Sequence, residues 1–240
     1  MLARGHGMSI DDIAALEIGT LFAALSNSIL AAFWAIYHVY SSANLLGELR
    51  QEVCSQTKGK KILQGDGEEK GDSRTSLLAS IVKESIRLHT GGATTRYATR
   101  DTTLSSLSSS SAYQHREYLL KRGSFVVIPT ETLHASTSLW GLSAEQFDPY
   151  RFCKHTNGIK EDGTRVSGTA FRAFGAGANI CPGRFLALGG IERVIEVLVR
   201  DWEIKPVSER WTVGRGLADD VSDTVIPPDG DIEVWITSRH

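Results

Sequence analysis

From Ile18 to Tyr40 the chain has no acidic or basic residue except His38. A mostly apolar run of that length has two stable destinations. It can cross a bilayer, or it can be a helix buried on all sides within a large helical domain. Ser26, Asn27 and Ser28 fall together in its middle, so we expect the buried helix. Ser9, followed by Asp11 and Asp12, is a helix-start signal, and Ser41-Ser42 is a stop. One helix over about residues 10–40 follows, and everything else must pack on or beside it.

The remaining elements are shorter. Apolar residues at Leu45, Leu46, Leu49 and Val53 predict a second helix over about 43–55. Residues 57–74 are polar, with charges of both signs among glycines, and predict a solvated loop. A third helix is predicted over about 75–89. Strand is expected within 93–104 and over 124–128, separated by the serine-rich tract 105–111. A last long helix over 182–200 precedes strands near 202–207 and 232–236. The predicted class is mainly α with small β-sheets, without an internal repeat or domain linker. A formal charge of −2 gives no basic field for nucleic acid. Cys54, Cys153 and Cys181 form neither a CxxC pair nor a zinc spacing, which argues against a disulfide framework and suits a reducing compartment. No signal peptide is expected after Met1.

The densest motif is Phe174–Arg184, with Gly175, Gly177 and Gly183 around Cys181. Glycine permits backbone angles and close approaches that side chains forbid. Pro182 is expected in the first turn of the following helix. Cys181 then lies at a helix N-terminus, where the dipole favours a thiolate. A lone cysteine is ordinarily a small buried hydrophobe, so the pattern around it has to decide.

Phe-x-x-Gly-x-x-x-Cys-x-Gly-Arg resembles the haem-binding loop of the cytochrome P450 family. Two further stretches extend the resemblance. Glu84 and Arg87 stand three apart on the third helix, and Trp140-Gly141, Phe147-Asp148-Pro149 and Arg151-Phe152 follow His134. The chain resembles the C-terminal half of that fold, as a partial domain over 1–240. The resemblance implies haem as cofactor, Cys181 as axial iron ligand, and Phe174, Gly175 and Gly183 shaping the ligand loop. It also implies Arg96 on a haem propionate (with Asp101 its motif partner and Arg100 a competitor), and Glu84, Arg87 and Arg151 as a structural network. Asn179 stands where the family often has Arg or His. Of the amides near the sulfur, those of Gly183 and Arg184 are the expected donors.

The oxygen-facing helix departs from the family. Ser26 falls at the usual acid and Asn27 at the usual threonine, so proton delivery would need ordered water or substrate groups. A similar asparagine-bearing helix occurs in the sterol 7α-hydroxylase and prostacyclin synthase branch. Three functions are therefore carried forward. The first is a monooxygenase acting on a lipophilic small molecule, with electrons from NADPH through NADPH-cytochrome P450 reductase or another donor. The second is an isomerase or dehydratase acting on a peroxide without a reductase. The third is a catalytically silent fragment. Lys154, Arg165, Arg172 and Arg193 are candidates for a reductase-docking patch. A full-length microsomal member is expected at the endoplasmic reticulum membrane, with no anchor expected in this chain.

Overall fold

The computed structural model describes residues 7–59, 76–105, 117–153, 168–216 and 224–239. Helix α1 spans Ile10–Tyr40, α2 Ala43–Gly59 and α3 Leu77–His89. Strands β1 (Ala93–Tyr97), β2 (Thr102–Ser105), β3 (Glu117–Leu120) and β4 (Phe125–Pro129) follow. Two short helices, α4 (Thr130–His134) and α5 (Thr137–Trp140), lead through an irregular stretch to α6 (Arg184–Asp201). Strands β5 (Trp202–Pro206) and β6 (Val234–Ser238) close the chain. The strands pair as three antiparallel ribbons, β1–β4, β2–β3 and β5–β6. The strand expected within 93–104 is observed as β1 and β2, and between them Asp101 accepts the Arg122 N–H at 2.7 Å. The serine tract beyond Ser105, most of the polar loop and Thr75 lie outside the described residues.

Helix ends form where polar side chains reach unpaired backbone groups. Ser9 and Asp12 make a reciprocal capping box on α1. Ser76 accepts the Ala79 N–H at 3.1 Å. Glu52 of α2 accepts the Leu77 and Leu78 N–H groups at 2.9 and 3.3 Å, placing a carboxylate against the positive end of α3. At the opposite polarity, the Arg50 guanidinium donates to the Val199 carbonyl at 3.2 Å near the end of α6.

The core joins the C-terminal third of α1 to α2, α3 and α6. Ala31, Trp34, Ala35 and Val39 recur at helical spacing on one face and pack with Leu49, Ile81, Val82, Ile191, Ile195 and Val199. The Trp34 indole donates to the Ile226 carbonyl at 2.7 Å, and the Ile226 N–H donates to the His89 carbonyl at 2.8 Å. These bonds tie the segment before β6 to both helices.

Burial of α1 on all sides is not observed. Its most apolar 18-residue window is unburied, and Ile18, Leu21, Phe22, Leu25 and Ile29 are exposed. Apolar composition makes burial favourable, but the core of the described residues takes in the helix only from Leu30 onward. By length and composition alone, α1 is also apolar enough to cross a membrane. With residues 30–40 docked, the charge-free stretch Ile18–Ile29 before them is about 18 Å long at 1.5 Å per residue. That is short of a hydrocarbon core of about 30 Å.

Candidate functional site

The most fully satisfied polar centre is built on α3. Arg87 donates to Glu84 through Nε and Nη2, both at 2.8 Å, and through Nη1 to the His134 carbonyl at 2.6 Å. Arg151 donates from Nε to Glu84 Oε1 at 2.9 Å, and to the carbonyls of Trp140 and Ser143 at 3.0 and 2.9 Å. The Asp148 N–H donates to Glu84 Oε1 at 3.2 Å. All three charged side chains are buried. Helical spacing brings Glu84 and Arg87 together; Arg151 arrives from 64 residues downstream of Arg87 by tertiary folding. One carboxylate receives two guanidiniums, and most of the remaining N–H groups find carbonyls, as a buried ion cluster requires.

His134 extends this centre toward the cysteine loop. Its Nδ1 bonds the Arg87 carbonyl at 2.9 Å, and its Nε2 accepts the Arg172 N–H at 3.0 Å. The neutral Nδ1–H tautomer satisfies both bonds. Burial, with the Arg87 charge beside it, pushes its pKa down to about 4, although the bond to the Arg87 carbonyl works the other way. The ring stacks on Phe171, three residues before Phe174. Ser80 of α3 adds a second tie, accepting the Phe152 N–H at 3.0 Å.

The cysteine loop follows. The Cys181 N–H donates to the Phe174 carbonyl at 2.9 Å, and Gly175 N–H to the Arg172 carbonyl at 2.9 Å. Gly175 and Gly177 have φ of 72° and 67°, angles glycine adopts without strain. Gly183 differs: its φ is −79°, and a Cβ there would lie 3.8 Å from Cys181 Sγ. Its absence widens the flank of the sulfur but no angle demands it. Helix α6 begins at Arg184, capped by Gly183, so Pro182 precedes the helix rather than occupying its first turn. Cys181 is half-buried. Among the described residues no amide bonds its sulfur, so the Gly183 and Arg184 N–H groups are not donors to it here. The Arg184 guanidinium instead donates to the Cys181 carbonyl at 2.9 Å.

Arg96 reaches the same loop. Its Nη2 donates to the Ala176 carbonyl at 2.6 Å and its Nη1 to the Thr95 carbonyl at 2.9 Å. Asp101, expected as its motif partner, is turned to Arg122, and Arg100 is exposed. A reachable thiol before a helix, with the guanidiniums of Arg96 and Arg184 on its loop, is a donor set that fits an anionic sulfur ligand and a cofactor bearing carboxylates. It therefore fits haem.

Ser26 and Asn27 are half-buried on α1. Asn27 is four and seven residues before Ala31 and Trp34, hence on the face that docks. No hydrogen bond joins either residue to the cysteine loop among the described residues. Of the basic residues expected in a docking patch, Arg193 is exposed but paired with Glu196 at 2.8 Å, and the Arg172 backbone serves His134. Lys154 and Arg165 lie outside the described residues.

Sequence reasoning missed a histidine pair. His38 Nε2 and His89 Nε2 are 3.0 Å apart. Trp34 stacks on His89 at 3.7 Å between centroids, and His38 stacks on Phe147 at 3.8 Å. Burial pushes His38 down to about 4; burial, then the charges of His38, Arg215 and Arg87, push His89 down to about 2. The residues lie on different helices and share no motif, so only the spacing of Trp34 and His38 on one helix face hinted at the cluster.

The cytochrome P450 family profile matches residues 1–215. A cytochrome P450 monooxygenase, nodJ, of Hypoxylon pulicicidum is 29% identical over 244 residues, covering 97% of this chain and 45% of that protein. The 25-hydroxycholesterol 7-alpha-hydroxylase of Rattus norvegicus is 26% identical over 226 residues, covering 88% and 50%. Cytochrome P450 7A1 of Oryctolagus cuniculus is 24% identical over 252 residues, covering 95% and 46%. The chain spans about half the length of these curated relatives.

Proposed function

Because the chain belongs to the cytochrome P450 family, we propose that it supplies the haem-ligating part of a monooxygenase that acts on a lipophilic small molecule. Cys181 would hold the haem iron through its thiolate. Arg96 would meet a carboxylate of the cofactor, with Phe174, Gly175 and Gly183 shaping the loop around the sulfur. Bound haem supplies the oxygen activation by which one atom of O₂ enters the substrate.

The protein's own residues hold and orient. Glu84, Arg87 and Arg151 pin the 148–152 turn to α3. His134 carries that constraint to Arg172, the residue whose carbonyl closes the first turn of the cysteine loop. On α1, the Asn27 amide and Ser26 hydroxyl can donate and accept hydrogen bonds, but neither titrates near neutrality. Their role is to orient water, which then moves the protons. Electrons come from NADPH through a reductase, and the endoplasmic reticulum membrane is the corresponding location.

The observation that most supports this reading is the Arg96–Ala176 hydrogen bond. It sets a cation on the cysteine loop from 80 residues away, as a carboxylate-bearing cofactor held by a thiolate requires. The test is a CO-difference spectrum of the chain supplied with haem and reduced. A Soret band at the thiolate position is expected, and Cys181→Ala abolishes it. A band that survives the substitution refutes the ligand assignment. Ser26 in place of the acid and Asn27 in place of the threonine are also compatible with a second reading, rearrangement of a peroxide without a reductase. Turnover that depends strictly on NADPH and reductase selects the first reading, and hydroperoxide turnover without them selects the second.

A further inference from the structure

The undocked part of α1 carries an ordered surface that the haem reading does not use. Ile18, Leu21, Phe22, Leu25 and Ile29 are each at least 49% exposed. Spacings of three and four residues gather them into one stripe along the helix. Leu25 and Trp34 are nine residues apart, about two and a half turns, so the stripe runs opposite the docked face. Ala14 and Ala15 flank it and are exposed too. A second body can therefore lie along the stripe without displacing α3 or α6.

Size and charge select the occupant. At about 200 Å² for a fully exposed large apolar side chain, the five residues present on the order of 600 Å². Stable interfaces take about 800 Å² from each partner, an area that the stripe and its flanking alanines come close to supplying. Lipid fits less well. A helix lying in a bilayer surface carries Lys or Arg on its polar face, and α1 has neither; its charges at this end are Asp11, Asp12 and Glu17. The stripe is uncharged and so complements a second copy of itself in an isologous pair. A parallel pair would set the three acids of each copy beside their counterparts. An antiparallel pair centred between Phe22 and Leu25 holds the two Asp12 residues about 35 Å apart, several screening lengths.

We propose that this chain forms an antiparallel homodimer through the outer stripe of α1. Ile18 of one copy lies opposite Ile29 of the other, and Phe22 lies beside Leu25 across the two-fold axis. Interdigitation of these side chains removes them from water. The docked third, Ala31–Tyr40, keeps its contacts within each copy, so pairing requires no rearrangement of the core. An interface of this modest area is reversible, and the dilute chain is a monomer.

The test is sedimentation equilibrium of the full chain over a range of concentrations. The mass should double from 26.2 kDa, with a Kd on the order of 10 μM. Phe22→Asp should weaken the pair about a hundredfold while leaving the urea midpoint of the dilute chain unchanged. Ile18→Glu and Ile29→Lys should each weaken it about tenfold, and an equimolar mixture of the two should associate more tightly than either alone. A chain that stays at 26.2 kDa up to about 200 μM, twenty times the expected Kd, overturns the proposal. A dimer untouched by Phe22→Asp, or a mixture no tighter than its components, does the same. Co-sedimentation of a monomeric chain with phosphatidylcholine vesicles would assign the stripe to lipid instead. None of these readouts requires haem, so the result stands apart from the fate of the Cys181 assignment.

Discussion

From Ala31 to Tyr40, α1 buries Trp34 to 1% exposure and Ala35 and Val39 completely; from Ile10 to Ile29, the same helix leaves Phe22 72% and Ile18 69% exposed. The two parts are similarly apolar, so hydropathy does not explain the contrast. The difference lies in what faces each part. The C-terminal third meets α3, α6 and the segment at Ile226, and it brings polar groups that those neighbours complete: Trp34 bonds the Ile226 carbonyl, and His38 bonds His89. The N-terminal part presents one apolar side chain after another to solvent. Contiguous apolar surface of this kind is characteristic of an interaction face.

This contrast can be broken most severely at the docked end. Glu84→Gln leaves Arg87 and Arg151 buried without their carboxylate, and removing one member of a buried ion cluster costs about 3–5 kcal/mol. The midpoint of urea unfolding should fall accordingly. A loss below about 1 kcal/mol would mean that the two guanidiniums are satisfied by their carbonyl partners alone.

Acid should have a graded effect on the same region. His38 and His134 titrate near 4 in the fold, and His89 near 2, against an ordinary value of 6.5. Between those limits the unfolded chain binds more protons than the folded one, so acid favours unfolding. The stabilisation from neutral histidines is complete above about pH 6.5 and declines as pH falls toward 4, with His89 continuing the decline below that. Unfolding midpoints measured across this range should drop in the wild type and drop less in His38→Phe. Parallel curves would show that His38 contributes nothing to the acid sensitivity.

The smallest effect is expected at the other end of the helix. Leu21→Ser should change stability within about 0.5 kcal/mol, as for surface positions generally, while reducing the binding of a hydrophobic dye to the folded chain. A loss of several kcal/mol would instead place Leu21 in a packed core and erase the contrast between the two parts of α1.

Much of the secondary structure was legible from local chemistry. Ser9 and Asp12 specify the start of α1 within four residues, and Glu84 and Arg87 meet because a helix places i and i+3 together. The glycines at 175 and 177 announce positive φ without reference to the rest of the fold. Errors occurred where a neighbour distant in sequence decided the outcome. Asp101, five residues after Arg96 in the same motif, accepts the Arg122 amide, while Arg96 goes to the Ala176 carbonyl. The amides of Gly183 and Arg184, expected at the Cys181 sulfur, make no bond to it among the described residues.

What the sequence determined by itself was a cysteine loop, the Glu84–Arg87 spacing on one helix face and a long apolar helix, since each depends on spacing within a short segment; the wider charge network was implied by the family resemblance. Only the tertiary structure decided which third of that helix would be core, that the Glu84 cluster would be buried, and that His38 and His89 would meet. Those outcomes depend on burial and on hydrogen bonds between segments tens of residues apart. Desolvation makes such partners obligatory, but no local spacing encodes which they will be.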